Sequence, residues 1–349
     1  MRGPVHVISC GAVTSVGMLA ATSAASLRAG ISRLQEHDFM VDRAGEPYVG
    51  GWCPWVEATG RDERQLALAR SAIAEALAAL GQPVPRVPAI VASSEVPPAD
   101  VEPFARRVAA RLEQELLPFE LDVTVVPQGN AGGFSALRSA VDLLEQRRSP
   151  VCVVAGADSF LDADVLDALD ESSRLACPRH RWGFPPGEAA AALVLASADV
   201  QRGYRLPSIG QLLSVAIGHE PHHARAETPC TGEGLGAVIS EALRASGTRG
   251  IATALCDLDG ERYRDREYTW ATQRIPPGLP FDPTRYETLV PSIGTVGGAT
   301  AIVALATAAC WGTRGHHSES DILTWAGNEL GLRGAAVLRT GPDRRWSTP

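Results

Sequence analysis

The sequence predicts an α/β protein made of two duplicated halves, each with a sheet that helices cover on both faces. Short, continuously apolar segments alternate with amphipathic helical segments, as in a largely parallel sheet buried on both faces. Glycine-rich turns precede two of the predicted helices, and several segments of the first half recur in the second. The 349 residues are enough for two such halves with a large core.

The first half shows this alternation from its N-terminus. Residues 5–9 form a predicted strand, and Gly11–Gly17 form a tight turn into a helix. An apolar face recurs along residues 62–80, which predicts a helix with Gly81 as its C′ residue. The elements that follow are a buried strand at 87–93, a helix at 101–116, an extended stretch at 121–127 and a buried strand at 151–155.

The turn at Asn130 is the feature on which the functional interpretation depends. The chain passes from a strand through Gly132 and Gly133 into a helix whose apolar stripe begins at Phe134. Asn130 is therefore at or just before a helix N-terminus, where unpaired N–H groups and the positive end of the helix dipole converge. Many folds hold a nucleophile at such a turn, but no Ser, Cys or Thr occupies it here. The simplest role for Asn130 is to cap the helix with its side-chain oxygen.

Three segments recur in the same order and at similar spacing. The pairs are Glu75–Gly81 with Glu241–Gly247, Gly132–Leu137 with Gly297–Ile302, and Ala155–Asp158 with Ala326–Glu329. A repeat this long indicates two half-domains, which we place at residues 1–203 and 204–349. Asn130 and Thr295 then occupy equivalent turns. Two helix N-termini would meet there, and their backbone N–H groups could stabilise an oxyanion.

Composition excludes several classes of function. The chain has no lysine, so all 32 basic residues are Arg. This excludes a Schiff-base lysine, a lysine base and a P-loop. The net charge of −8 disfavours nucleic acid as a partner. No apolar run approaches the roughly 18 residues of a membrane helix, and the N-terminus does not resemble a signal peptide. We therefore expect a cytoplasmic protein without a membrane partner.

Cysteine and histidine patterns do not predict a metal or a cofactor. The seven cysteines are scattered without a C-x-x-C pair, which is typical of small core residues. His219, His222 and His223 cluster, but a closed metal site needs further ligands, so an exposed loop is favoured. Residues 257–265 form a dense polar turn, which we interpret as an ion-pair network, with a new active site or metal site as the alternative.

Several motifs together resemble those of the β-ketoacyl synthases of the thiolase superfamily. Gly11–Gly17 is similar to the family's opening Gly-Ala-Val-Thr-Pro-x-Gly, and Gly156–Asp158 to its Gly-Gly-x-Glu. Trp182–Glu188, followed by an apolar strand, resembles Asp-Gly-Phe-x-x-Gly-Glu and is the most specific match. The resemblance spans most of residues 5–340. It implies a thiolase-like fold of two duplicated α/β/α half-domains in five layers, αβαβα.

The resemblance also implies roles for two residues of the Trp182–Glu188 motif. The Glu188 position is structural in the family, so we expect its carboxylate to hydrogen-bond to nearby backbone. We expect Trp182 to serve packing.

The family's catalytic residues are replaced at three matched positions. In the family, a Cys takes the acyl chain as a thioester, and two histidines, or a His and an Asn, assist decarboxylation of a malonyl thioester. Asn130 matches the Cys (a one-residue slip would place Ala131 there), Asp257 the first His and Thr295 the second. An amide is not a nucleophile, Asp257 repels a carboxylate substrate, and Thr295 cannot act as a cation. The resemblance therefore implies that condensation is absent. The candidate substrate-binding residues around this site are Gly132, Gly133, Phe134, Gly297 and Gly298.

Whether the chain is an enzyme stays open at this point. The leading hypothesis is a non-condensing protein that resembles a chain-length factor in fatty-acid- or polyketide-type biosynthesis. The alternative is altered chemistry at the same pocket, as a malonyl-thioester decarboxylase or an acyltransferase, with Asn130 polarising a thioester carbonyl. A third is a structural or regulatory dimer without a ligand.

The resemblance also suggests partners. The family dimerises through a strand of the N-terminal half, which implies a homodimer or a heterodimer with an intact ketosynthase. The Arg-rich helix at 104–111 is either a docking face for an acyl carrier protein or a solvated face.

Overall fold

The computed structural model describes residues 4–80, 86–317 and 320–341; Gly81 and its predicted C′ role lie outside these ranges. The strands are β1 Val5–Thr14, β2 Gln35–Val41, β3 Pro47–Gly50, β4 Val87–Ala92, β5 Leu121–Val126, β6 Val151–Ser159, β7 Glu188–Ser197, β8 Gly210–His219, β9 Ile251–Cys256, β10 Tyr286–Thr288, β11 Asp321–Gly327 and β12 Leu332–Thr340. The α-helices are α1 Ala20–Arg28, α2 Arg61–Ala78, α3 Val101–Glu115, α4 Gly132–Glu145, α5 Ala163–Glu171, α6 Ala198–Gly203, α7 Glu233–Ser246, α8 Arg262–Arg274, α9 Val290–Ile293 and α10 Thr300–Thr313.

Ten strands form one sheet to which each half of the chain contributes five neighbours. The order is β1-β7-β6-β4-β5 in the first half and β8-β12-β11-β9-β10 in the second. In both, the first three strands are antiparallel neighbours and the last three are parallel. The two sets join where Val5–Val7 of β1 pairs with Gly210–Leu212 of β8. This repeated order is what a duplication predicts; the boundary between residues 203 and 204 stays a prediction.

The helices and strands form five layers, which pack through three apolar clusters: one on each outer side and one around the middle layer of helices. The helices α2 and α3 pack on the outer face of the first-half strands, and α7 and α8 pack on the outer face of the second-half strands. Between the two sets of strands lie α1, α4 and α10. Helices in this middle layer must be apolar on nearly every side, and residues 301–312 of α10 are all buried. The predicted five-layer αβαβα fold is confirmed.

The helix α10 is apolar because of this central position. It has 14 residues. Among the described residues, none of the helices combines the length and the apolar character required to cross a bilayer.

The predicted turn at Gly11 is wrong, because β1 continues to Thr14. The tight turn runs from Thr14 to Gly17, whose backbone groups bond to each other. A Cβ on Gly11 would lie 2.1 Å from the carbonyl oxygen of Ala72 in α2. Gly11 therefore marks the close approach of a helix to a strand.

Candidate functional site

Two short 3-10 turns lead into the two central helices. Gly129–Ala131 precedes α4 and Gly297–Ala299 precedes α10. Each turn begins with a glycine at positive φ, +60° at Gly129 and +47° at Gly297, a conformation that disfavours other residues. The counterpart of Asn130 is therefore Gly298, and the predicted equivalence of Asn130 with Thr295 is wrong. The repeated glycine pairs had suggested a register three residues away from the structural one.

The three positions matched to the family's catalytic residues lie around one cavity. Asn130, Asp257 and Thr295 line it together with Cys256, Thr300 and apolar side chains of α9 and α10. Its volume is about 20 Å³. That is room for about one water molecule, whereas ligand pockets measure roughly 300–1,000 Å³. The predicted residues converge, but the space between them does not admit an acyl thioester.

Asn130 and Thr295 each bring an unpaired polar group to this cavity. Asn130 is 8% exposed and Thr295 is 5% exposed. Asn130 Nδ2 and Thr295 Oγ1 have no hydrogen-bond partner among the described residues. Asn130 does not cap α4, because the N-cap residue is Ala131 and no side chain bonds there. The capping interpretation is therefore wrong, and these two groups are free to bind a polar atom in the cavity.

Asp257 is held in a buried ion-pair network. Its Oδ2 accepts hydrogen bonds from Arg264 Nη1 at 2.6 Å and from the Gly327 N–H at 2.9 Å. Arg264 also donates from Nε to Asp259 Oδ2 at 3.0 Å and from Nη1 to the Gly327 carbonyl at 2.9 Å. Burial raises the pKa of Asp259 to about 6, although Arg264 opposes this shift. The ion-pair interpretation of the polar turn agrees with these contacts.

The turns around the cavity are tied to one another by further side chains. Arg174 donates from Nε to Glu261 at 2.8 Å and also pairs with Glu329. Arg225 donates to the same Glu329 at 2.8 Å. Asn328 Nδ2 donates to the Gln128 carbonyl at 3.1 Å, which joins the turn after β11 to the turn after β5. These polar groups stabilise the loops through mutual pairing.

The Asp158 carboxylate accepts a hydrogen bond from the Gly298 N–H, the group of the second turn that could otherwise stabilise an oxyanion. Its Oδ2 accepts from the Gly298 N–H at 2.9 Å, and its Oδ1 accepts from Arg61 at 3.1 Å. In the first turn, the Gly129 N–H donates to the Ser93 carbonyl at 3.0 Å. The sequence showed Asp158 in a repeated motif and in the match to the family's Gly-Gly-x-Glu, but neither indicated its contact with Gly298, which lies 140 positions away.

The five candidate substrate-binding residues lie in packing contacts and do not line the cavity. A Cβ on Gly133 would lie 2.7 Å from Ala301 Cβ, and one on Gly298 would lie 2.4 Å from the carbonyl carbon of Ser93. A Cβ on Gly297 would lie 2.1 Å from Asp158 Oδ2, and one on Gly132 would lie 3.3 Å from the Val126 carbonyl oxygen. Phe134 is fully buried against Gly334. These contacts account for small residues at the glycine positions, and substrate binding stays a prediction.

Glu188 is a structural anchor with both carboxylate oxygens occupied. Oε1 accepts from the Cys53 N–H at 2.7 Å and from Arg64 Nη2 at 2.6 Å. Oε2 accepts from Arg64 Nε at 2.8 Å and from Ser159 Oγ at 2.7 Å. The expected bond to nearby backbone is present.

Cys256 lines the cavity, although its sequence context resembles that of a core cysteine. Burial raises the pKa of its thiol far above the ordinary value, and Sγ donates to the Glu287 carbonyl at 3.6 Å. The thiol is therefore protonated at neutral pH and is a poor nucleophile. Its position at the end of an apolar strand gave no signal beyond that of a core cysteine.

Glu220, Cys230 and Glu267 offer possible metal ligands within 4.8 Å of one another. Glu220 Oε2 accepts from the Gly234 N–H at 2.8 Å, and Glu267 Oε1 accepts from Arg333 Nε at 2.6 Å. Burial raises the pKa of Cys230 to about 11, so the thiolate needed for metal binding is disfavoured. The contacts fit a structural cluster. Beside it, the His219 ring contacts that of His223.

Trp182 does not serve packing as predicted. Its side chain is 56% exposed. The Arg262 guanidinium lies 4.4 Å from the centre of its ring, which is a cation–π contact at the surface.

Comparison with known proteins places this fold among the ketosynthases. The chain is similar to the ishigamide ketosynthase/chain length factor, with a TM-score of 0.81 and 17% identity over 97% of this chain and 100% of that one. It is similar to a type II polyketide ketosynthase solved with its acyl carrier protein (0.78, 13%, covering 97% and 99%). It is also similar to a β-ketoacyl synthase from Burkholderia phymatum (0.74, 13%, covering 97% and 99%). No protein-family model and no curated protein matches the chain. The chain therefore has a thiolase-like ketosynthase fold.

Proposed function

We propose that the protein is a non-condensing, ketosynthase-like subunit that acts as a chain-length-factor-like partner in polyketide- or fatty-acid-type biosynthesis in the cytoplasm. The observation on which this rests is the central cavity of about 20 Å³ between Asn130, Asp257 and Thr295. Condensation needs room for an acyl chain and a malonyl thioester at this point. The cavity has room for neither.

The chemistry of the cavity supports the same conclusion. We match Asn130 to the family's nucleophile, and its amide is not nucleophilic. The Cys256 thiol is held protonated by burial. The Asp257 carboxylate is already paired with Arg264 and Gly327. The Gly298 N–H, which could have stabilised an oxyanion, donates to Asp158.

A partner subunit has a suitable docking strand in β5. Within residues 4–80, 86–317 and 320–341, this strand pairs only with β4 and forms one edge of the ten-stranded sheet. An exposed strand edge is a template for pairing with another chain. One of the neighbours of this fold combines a ketosynthase with a chain length factor. We therefore propose a heterodimer with an intact ketosynthase, with a homodimer as the second possibility.

An acyl carrier protein is a less direct partner. The neighbour solved with its carrier protein makes such contact plausible for this fold. On α3, however, Arg106 pairs with Glu102, Arg107 with Asp62, and Arg111 with Glu63. A carrier protein docking on α3 would have to compete with these carboxylates. We propose that carrier contact takes place mainly through the ketosynthase partner.

One observation favours the alternative, a malonyl-thioester decarboxylase or an acyltransferase. Asn130 Nδ2 and Thr295 Oγ1 are unpaired within the part of the chain that the structure describes, and both residues line the same cavity. A decarboxylase would use two such donors on the thioester oxygen. It would also require the surrounding helices to separate enough to admit the substrate.

The test is incubation of the purified protein with malonyl carrier protein, followed by intact mass measurement of both proteins. We expect the carrier to keep its malonyl group and this chain to gain no acyl group. Loss of CO2 from the carrier that Asn130→Ala or Thr295→Val abolishes would overturn the proposal. Light scattering of the protein co-expressed with an intact Cys-His-His ketosynthase should show a one-to-one complex, and a ketosynthase with a mutated β5-equivalent edge is the control.

A further inference from the structure

Cys10 and Cys310 bring two thiols together at the junction of the two halves. Cys10 lies in β1 of the first half, and Cys310 lies in α10 of the second. Their Sγ atoms are 3.4 Å apart although the residues are 300 positions apart in the chain. Both are free thiols. Cys10 is half-buried, and Cys310 is 8% exposed.

The surroundings of the pair shift the pKa values of the two thiols in opposite directions. The hydrogen bond with Cys10 lowers the pKa of Cys310, and the nearby Arg314 acts in the same direction, against burial and the Glu75 carboxylate. The same hydrogen bond and burial raise the pKa of Cys10 well above its usual range. Cys310 is therefore the member of the pair that more readily becomes a thiolate, with Cys10 as its hydrogen-bond donor.

We propose that Cys10 and Cys310 form a reversible disulfide. This bond would fasten α10 to β1 and add a covalent cross-link between the two halves of the chain. The bond is about 2.05 Å long, so side-chain rotation has to bring the sulfurs about 1.4 Å closer. With hydrogen peroxide as oxidant, the Cys310 thiolate attacks the peroxide O–O bond and becomes a sulfenic acid, and one water leaves. The Cys10 sulfur then attacks the Cys310 sulfur and releases the second water. Two thiols lose two protons and two electrons, and one peroxide becomes two waters.

The position of the bond gives it a structural consequence. The helix α10 supplies Thr300, Val303 and Ala304 to the wall of the central cavity. A cross-link between residues 300 positions apart restricts the unfolded chain far more than the folded one. The oxidised protein should therefore resist unfolding better, and α10 should be held more firmly against β1.

The test uses the full chain, reduced and then treated with hydrogen peroxide. Trypsin cleaves after Arg and leaves Cys10 in peptide 3–28 and Cys310 in peptide 286–314, each with a single cysteine. We expect these peptides to be joined without reductant and separate with it, and the intact mass to fall by about 2 Da. The thermal midpoint should rise by a few degrees on oxidation. Cys310→Ala should abolish all three effects.

Cys152→Ala is the matched control. Cys152 is a buried thiol of the same central core, and burial raises its pKa to about 12. This variant should keep the cross-link. The proposal fails if the folded, peroxide-treated wild-type chain yields no joined 3–28 and 286–314 peptides. It also fails if the mass loss persists in Cys310→Ala. The peptide map of the wild type decides the question even where a variant folds poorly.

Discussion

Arg264 balances two buried carboxylates beside the central cavity. Its guanidinium bonds to Asp257 and Asp259, and all three side chains are nearly inaccessible to solvent. Removing the cation leaves two carboxylates buried and uncompensated, which is far more costly than losing a surface pair.

We expect Arg264→Leu to lower the free energy of unfolding by about 3–5 kcal/mol at pH 7 in urea titrations. Arg106→Leu, which breaks only the exposed pair with Glu102, should change it by less than about 0.5 kcal/mol. Equal effects of the two variants would show that the Arg264 network is not a major source of stability.

Asp259 should make stability depend on pH between 4 and 6. Burial raises its folded-state pKa to about 6 from the ordinary 3.8, so the folded protein binds the proton more tightly than the unfolded chain. The stabilisation that comes from this tighter proton binding at Asp259 is complete below about pH 4 and is lost as pH rises through 6.

Between pH 7 and pH 4, the wild type should therefore gain about 2–3 kcal/mol relative to Asp259→Asn, measured by denaturant titration at each pH. Asp122→Asn, which changes an exposed carboxylate of β5, should run parallel to the wild type. A parallel curve for Asp259→Asn as well would contradict the prediction.

At the scale of secondary-structure elements, the turn before α10 packs so closely against the Ser93 backbone that position 298 has no room for a side chain. A Cβ on Gly298 would lie 2.4 Å from the carbonyl carbon of Ser93. We expect Gly298→Ala to destabilise the fold by about 1–3 kcal/mol because backbone has to move. In Gly203→Ala the new Cβ meets no atom of the described residues within 4 Å, so thermal unfolding should show a change within about 0.5 kcal/mol. A neutral Gly298→Ala would mean that the turn relaxes easily.

A carboxylate of α3 limits the pairing of edge strand β5 with a strand of another chain. The Val123 N–H donates to Glu113 Oε1 of α3 at 3.0 Å, so it is not free to donate to an added strand. Carboxylates placed on an edge protect it from uncontrolled association. A partner that pairs with β5 would have to displace this carboxylate.

We therefore expect Glu113→Ala to shift the protein toward self-association, seen as a higher weight-average mass in sedimentation velocity at rising concentration. Glu102→Ala on the same helix, which removes only an exposed ion pair, should leave the mass unchanged. An unchanged mass for Glu113→Ala would show that this contact does not guard the edge.

For the whole molecule, the narrow central cavity leads us to expect that acyl transfer depends on more than the residue at position 130. Introducing a thiol at this turn with Asn130→Cys should not produce acyl transfer, because the cavity of about 20 Å³ does not admit a thioester. Incubation with acyl carrier protein thioesters and intact mass measurement should show no acylated chain, with an intact ketosynthase as positive control. A stoichiometric acyl adduct on the variant would mean that the centre opens in solution.

The sequence by itself determined the layered, duplicated fold, because periodicity and glycine turns are local consequences of the chain. The resemblance to the β-ketoacyl synthases implied that positions 130, 257 and 295 would meet, and all three line one cavity. It also indicated that Glu188 would bond to backbone. The sequence misplaced the turn at Gly11 and the counterpart of Asn130. It does not distinguish a glycine that lets the chain turn from one that lets another element pack closely.

The tertiary structure alone decided the cavity volume, the pairing of Asp257 with Arg264, the capture of the Gly298 N–H by Asp158, and the contact of Cys10 with Cys310. Most of these depend on residues that are distant in the chain and on how closely their backbones pack. No local pattern records such distances, because a change of about an ångström in packing opens or closes a site without changing any motif.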